Sequence, residues 1–388
     1  MKITILHQYF KHPREGGAIR SYYLAQGLLR NEVDVEVITA HNEPSFEIKR
    51  IDGIKVFYLP VYYDNSLTKY QRIRSFVNFV LQAIVLLYKL KKPNYLYVIS
   101  TPLTVGIVAL IMRLTRRVRY IFEIGDLWPE APIQLGYIKN RIVKKVLYFF
   151  EGIIYKYAYR IVAMSPDIEK IVNKNHKTIM IPNMSDCSFF EIIESKNEQI
   201  LNRYDLKDEF IIAYLGAAGR ANHLEYLLNA AKAIEDQKLN VKIIIAAAGS
   251  ELEHFRSEVL QSEVENVIFE NYTNKEGVKE LLSISDAVYV SFSNVPILSS
   301  GSPNKFFDGL AAGKLIIINF AGWIKDEIKE AQCGFSYDPN QLNDLLDKLT
   351  SFVNDRELLH KAQANSRKLA ESKFSREKLI KRWLTLFD

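Results

Sequence analysis

The chain has 388 residues, 48% apolar and 25% charged, which excludes a disordered or collagen-like polypeptide and predicts two or three domains. Two cysteines and seven scattered histidines, with no His-x-x-x-His spacing, argue against a disulfide framework and a structural metal. The net charge of +6 is uneven: Lys69 to Arg160 holds 16 Lys and Arg against 4 Asp and Glu, so an anionic partner is expected there, nucleic acid or a membrane surface.

A first strand is predicted over Lys2–Tyr9, with no secretory leader before it. Further strands follow at Val33–Ala40, Ile54–Pro60, Tyr95–Ser100, Val118–Ile124, Arg160–Ser165 and Thr178–Pro182. The longest nearly apolar run, Phe76 to Tyr88, has 13 residues, short of the roughly 20 that a membrane span needs. A cytoplasmic protein, peripheral at a membrane surface, is therefore expected. Between Asn183 and Lys207 the alternation of strand and helix pauses in a polar stretch that reads as a linker. Strands resume at Glu209–Gly216, Val241–Ala248, Asn266–Glu270, Ala287–Phe292 and Leu315–Phe320, and Phe374–Asp388 carries a helical pattern. Runs such as Ile243-Ile244-Ile245 suit strands covered on both faces. The fold class is α/β: two Rossmann-like, doubly wound domains facing across a cleft, with ligands at the carboxyl ends of the strands.

Four loops at such ends carry chemistry. His12 to Ser21 contains Gly16-Gly17, which lets backbone approach a ligand, and Arg20, placed to reach an anion; a plain tight turn explains the glycines equally well. Glu123-Ile124-Gly125-Asp126-Leu127-Trp128-Pro129-Glu130 follows a strand. Asp126 or Glu130 could orient sugar hydroxyls and Trp128 could stack on a sugar; core packing and helix capping are the alternative. Gly216 to Glu225 places Gly219, Arg220, Asn222 and His223 at a helix start, a plausible diphosphate cradle or an ordinary turn. In Ser299 to Lys314, Ser302 reads as an N-cap and Pro303 as the first helical residue. The N–H groups of Asn304 and Lys305 then face the ligand, and Asp308 lies one turn on, where a carboxylate could accept from a ribose diol. Basic, aromatic stretches over Lys69–Lys92 and Lys139–Arg160 suit a membrane interface or solvated helices packed on their sheet.

Taken together, Gly16-Gly17, the Asp126-Leu127-Trp128-Pro129-Glu130 run, Ala221-Asn222-His223-Leu224-Glu225 and Ser302-Pro303-Asn304-Lys305-Phe306-Phe307-Asp308 resemble the family-4 retaining glycosyltransferases of the GT-B fold, and among them the WbuB-type enzymes of bacterial surface-polysaccharide assembly. The resemblance covers nearly the whole chain. It implies an acceptor domain over 1–185, with helix 372–388 packing back on it, and a nucleotide-sugar domain over 186–371. It implies a nucleoside-diphosphate sugar donor, usually a UDP-sugar, and a saccharide acceptor on polyprenyl diphosphate at the inner face of the cytoplasmic membrane. Arg220 and Lys305 would neutralise the leaving diphosphate with Asp126 as a further catalytic residue. Gly16, Gly17, Arg20, Gly219, Asn222, His223, Ser302, Asn304 and Asp308 would hold the donor, and Trp128 and Glu130 the acceptor. The family's Glu-x7-Glu pair is represented by Ser300 and Asp308, and Gly125 stands where the broad family places His. No Asp-x-Asp pair occurs, so no metal or other cofactor is expected, and no nucleic-acid-binding motif accompanies the basic stretches. A sugar-nucleotide epimerase or hydrolase, and a basic membrane- or nucleic-acid-binding protein, are the competing readings.

Overall fold

The computed structural model describes residues 1–17, 19–64, 67–172, 177–193 and 195–387. Ala18 of the Gly-Gly loop, Glu194 of the polar stretch and Asp388 at the end of the final helical pattern lie outside them. Fourteen strands form two sheets among these residues. The first contains β1 (Lys2–Leu6), β2 (Asp34–His41), β3 (Glu47–Ile51), β4 (Ile54–Pro60), β5 (Tyr95–Ile99), β6 (Arg119–Ile124), β7 (Arg160–Ala163) and β8 (Thr178–Met180). Their spatial order is β3-β4-β2-β1-β5-β6-β7-β8, and every pair is parallel except β3 with β4. The second contains β9 (Phe210–Ala217), β10 (Val241–Ala248), β11 (Val267–Glu270), β12 (Ala287–Val290), β13 (Leu315–Ile318) and β14 (Gly334–Ser336). It is wholly parallel, in the order β11-β10-β9-β12-β13-β14.

The apolar runs form the strands for the expected reason. β5, β12 and β13 are buried at every position, as parallel strands covered by helices on both faces must be. In the second sheet Ile211, Ala213 and Leu215 pack on one side and Phe210, Ile212 and Tyr214 on the other.

Two strands were not foreseen. β3 reads Glu-Ile-Lys-Arg-Ile and is mostly exposed, so it has no apolar run. It is an edge strand, and Lys49 and Arg50 make that edge unattractive to a second sheet. It turns back into β4 through Asp52-Gly53, with φ of 46° and 87° and Ile51 paired to Ile54. An Asp-Gly pair between two strands is the strongest short hairpin signal, and it was there to be read. β14 has three residues at the opposite edge.

The chain divides into two compact units, Met1–Pro182 joined by the segment from Leu379, and Asn183–Lys378. The expected linker from Asn183 to Lys207 is largely folded. Ser185 and Asp186 are buried, Ser185 pairs with Ser375, and Glu198–Arg203 is a helix. Asp186 accepts from Lys275 Nζ and Arg376 Nη1, and the Ser188 hydroxyl donates to it at 3.0 Å. Polarity at Ser185 and Asp186 marks a buried ion cluster, whereas Glu191 and Asn197–Gln199 face solvent as the linker reading expects.

The returning segment closes the first unit's core. Trp383 is fully buried, its ring 4.9 Å from those of Tyr97 and Phe387, edge to face in both cases. Trp383→Ala should destabilise the first unit by about 4 kcal/mol. Calorimetry should show one transition moving down in temperature while the other stays.

Candidate functional site

The second sheet reverses its strand order between β9 and β12, and open sheets of this kind bind ligands beyond the carboxyl ends of the strands at such a point. Three loop ends define it: 218–223 after β9, 271–274 after β11, and 291–303 after β12. The last runs into the helix Asn304–Ala311, whose N-terminal N–H groups therefore open on the same end of the sheet. Pro303, extended at φ −73°, ψ 133°, is the residue before the helix. Ser302 is not the cap that the sequence suggests: its hydroxyl accepts from the Asn183 N–H at 3.1 Å, and its carbonyl accepts from the Asn183 side chain.

Lys305 lies in the first turn of this helix. Its Nζ is buried, has no hydrogen-bond partner among the described residues, and sits 3.8 Å from the centroid of the Tyr214 ring on β9. Gly216 stands beside it with φ 125°, a conformation that side chains rarely adopt, within van der Waals reach of the lysine chain. Burial without a carboxylate to offset it pushes the ammonium down to about 7. Asp308 follows one turn later. Burial raises its carboxyl to about 7; Lys275 works against that rise and Asp186 with it. Lys275 begins the helix Lys275–Ile284 after β11, so Asp308 faces the loop after β11. A cation without a partner and a nearly neutral acid, one turn apart, can meet a phosphate and a diol respectively.

Several residues expected to hold the donor are engaged within the protein. The Asn222 side chain accepts from the Gly219 N–H and donates to the Ser291 carbonyl, both at 3.4 Å, while its own carbonyl accepts from the Ser291 hydroxyl at 2.6 Å. It ties the loop after β9 to the end of β12. His223, at φ 46°, places Nε2 3.3 Å from Glu225 and its ring 4.3 Å from that of Tyr226. The Ser300 hydroxyl donates to the Ile297 carbonyl at 2.7 Å. Arg220 and Asn304 are exposed, on the loop after β9 and at the helix start.

The first sheet reverses order between β1 and β5. Gly16 and Gly17, in the loop after β1, take φ of 69° and 81°. Arg20 does not reach for an external anion. Its Nε donates to both Glu123 oxygens at 3.0 and 3.1 Å, Nη2 donates to Glu123 and the Ile181 carbonyl at 3.0 Å, and Nη1 donates to the Pro182 carbonyl at 2.6 Å. Glu123 is wholly buried and also accepts from the Tyr97 hydroxyl. The anion that Arg20 serves is inside the domain. Asp126, two residues past β6, has its side chain open to solvent, and desolvation by the surrounding protein raises its carboxyl. Trp128 is half-buried, and a cis peptide bond joins it to Pro129. Glu130 accepts from Gln134 at 2.7 Å and from the Tyr148 hydroxyl, so its carboxylate is occupied locally.

Sequence reasoning missed two residues at the end of β1. His7 is buried, pushed down to about 3 by that burial, and its Nδ1 lies 2.8 Å from the Ser21 hydroxyl. Both side-chain atoms of Gln8 are buried without a hydrogen-bond partner among the described residues. The signal for them was a His-Gln pair closing an apolar strand.

Known proteins share this organisation. Residues 15–183 match the family model described as Glycosyl transferase 4-like domain, and residues 196–369 that of Glycosyl transferases group 1. A capsular polysaccharide biosynthesis glycosyltransferase, CapM of Staphylococcus aureus, is 23% identical over 365 residues, covering 90% of this chain and 88% of that protein. Among solved structures, sucrose-phosphate synthase from Thermosynechococcus elongatus superposes with a TM-score of 0.78 at 16% identity, covering 100% of this chain and 98% of its own. Anabaena Alr3699/HepE, solved in complex with UDP-glucose, gives 0.74 at 15% identity, covering 99% of each chain. At these identities the two structures share the fold.

The buried Arg20–Glu123 pair makes a prediction about stability. Arg20→Met should cost the first unit about 3–5 kcal/mol in urea unfolding, because it strands a buried carboxylate. The double change Arg20→Met, Glu123→Leu should recover most of that loss.

Proposed function

We propose that this chain, a glycosyltransferase of the GT-B fold built from a 4-like domain and a group 1 domain, transfers a sugar from a UDP-sugar to a saccharide carried on polyprenyl diphosphate. The observation that carries the donor half is Lys305: an ammonium with no hydrogen-bond or ion-pair partner among the described residues, at a helix N-terminus, where the second sheet reverses order. Lys305 and the helix N–H groups neutralise the diphosphate as the glycosidic bond breaks, and Arg220 swings in from the loop after β9. Asp308 holds the ribose diol. These fixed charges stabilise the leaving group without a metal, and Ser300, whose hydroxyl is taken, leaves the donor-sugar contact to other residues.

The acceptor half is supported by the kinship with CapM, a capsular polysaccharide biosynthesis enzyme, and by the first domain's basic helices. Asp126 is the carboxylate there that is open to a substrate, and Trp128 supplies a ring for a sugar face. Retention at the anomeric carbon, a place among the WbuB-type enzymes and work at the inner face of the cytoplasmic membrane belong to the same reading.

Two measurements test it. Calorimetric affinity for UDP-glucose, whose diphosphate does not titrate near neutrality, should peak near pH 7. Above that pH Lys305 must take up a proton to bind, and below it Asp308 must release one, so each limb falls by up to about tenfold per unit. Lys305→Gln should weaken binding and remove the alkaline limb, and Asp308→Asn should remove the acid limb. A flat wild-type profile removes both residues from the site. Mass spectrometry of UDP-sugars incubated with polyprenyl-diphosphate saccharides should then show one extended product. Donor consumed equally without acceptor would mean an epimerase or a hydrolase instead.

A further inference from the structure

A cavity of about 530 Å³ lies in the second domain at the β14 edge of its sheet, and no residue of the candidate donor site lines it. Three helices wall it together with the strand. Each contributes two residues four apart, which share a face. These are Lys325 and Lys329 from Trp323–Ala331, Lys348 and Phe352 from Leu342–Asn354, and Lys361 and Asn365 from Arg356–Leu369. Four ammonium groups thus meet around one space, and no carboxylate among the described residues lines it. Lys348 is already engaged: its Nζ pairs with Asp344 at 2.7 Å and donates to the Ser336 carbonyl at 2.9 Å. Lys325, Lys329 and Lys361 are exposed and enter no ion pair among the described residues. A concavity lined by charge of one sign concentrates counter-ions of the other.

The strand adds neutral donors to the cations. The Ile316 N–H donates to the Cys333 carbonyl at 3.1 Å and the Tyr337 N–H to the Ile318 carbonyl at 3.0 Å, so alternate residues of this strand serve β13. Gly334 and Ser336, between them, turn their backbone groups to the other side, where Lys348 meets the Ser336 carbonyl. Their N–H groups therefore face the cavity. The rest of the wall is apolar and partly aromatic. The Phe335 and Phe352 rings stack at 5.8 Å with 10° between their planes, and Phe352 is only half-buried.

We propose that this cavity binds a nucleoside polyphosphate as a second ligand, separate from the sugar donor, with its phosphates on Lys325, Lys329 and Lys361 and its base against Phe352. The volume lies in the range of pockets that enclose molecules of nucleotide size. A bare phosphate would meet the cations and leave the ring unused. An acidic peptide added as a further strand fits poorly, because it needs the Ser336 carbonyl that Lys348 occupies.

Titration calorimetry on the full chain, with UDP-glucose at saturation to fill the donor site, tests it. ATP or GTP should bind at one site per chain, and inorganic pyrophosphate at least about tenfold more weakly, having no base to stack. Lys325→Gln with Lys329→Gln changes two exposed residues and should weaken nucleotide binding at least about tenfold while leaving UDP-glucose affinity unchanged. Phe352→Leu should bring ATP down to the level of pyrophosphate. Failure of both ATP and GTP to bind at about 1 mM overturns the proposal. So does nucleotide binding that the paired lysine change leaves intact, or that UDP-glucose displaces. Equal affinity for pyrophosphate and both nucleotides overturns the cavity as a nucleotide site. If UDP-glucose itself does not bind, the donor reading falls alone, and the lysine variants still decide this one.

Discussion

The second domain's loop end is organised around an ammonium that pairs with no carboxylate among the described residues. Other buried charges of the domain are closely paired: Lys275 and Arg376 close on Asp186, and Lys196 reaches Asp286 at 2.5 Å. Lys305 has an aromatic ring beneath it and a glycine beside it, and its Nζ has no hydrogen-bond partner among the described residues. An unpaired buried cation is costly, and the fold keeps the group tolerable by letting it lose its proton near neutrality. In the proposed reading a diphosphate would restore what burial took away: helix dipole, backbone N–H groups and ammonium would act on one anion, with the leaving group's counter-charge already in place.

The first domain contains what looks in sequence like the same device, with the opposite outcome. A Gly-Gly loop precedes a helix whose first turn carries an arginine, as a phosphate cradle would. Yet Arg20 is sealed against Glu123 and the carbonyls of Ile181 and Pro182. The difference lies in Glu123, a buried carboxylate at the end of β6 that only a guanidinium fork could satisfy while also reaching two carbonyls. Nothing near Arg20 in sequence announces a partner more than a hundred residues away.

This contrast explains what was legible beforehand. Strands made of continuous apolar residues, Ile243 to Ile245 or Ile316 to Ile318, can only be central and buried, so both sheets could be read from sequence. β3 was invisible to that logic because an edge strand has no need of apolar residues, although the Asp52-Gly53 turn identified it by different means. Within the candidate site, Lys305 and Asp308 were readable because helical spacing alone puts them one turn apart. The local bonds of Asn222, Ser302 and Glu130 were not legible, for a common reason. A short polar side chain at a strand end has the same composition whether it faces a ligand or stitches one loop to another, and only the far partner, Ser291, Asn183 or Tyr148, distinguishes the two.

Trp383, with Leu386 and Phe387, completes a core whose remaining members lie before Pro182, so the first domain is written in two instalments with the entire second domain between them. On the ribosome, Asn183–Lys378 emerges complete while its elder neighbour still lacks its closing wedge. The nascent protein therefore matures out of order: the domain begun first is finished last, and its aromatic pocket around Tyr97 waits unfilled through the synthesis of nearly two hundred residues.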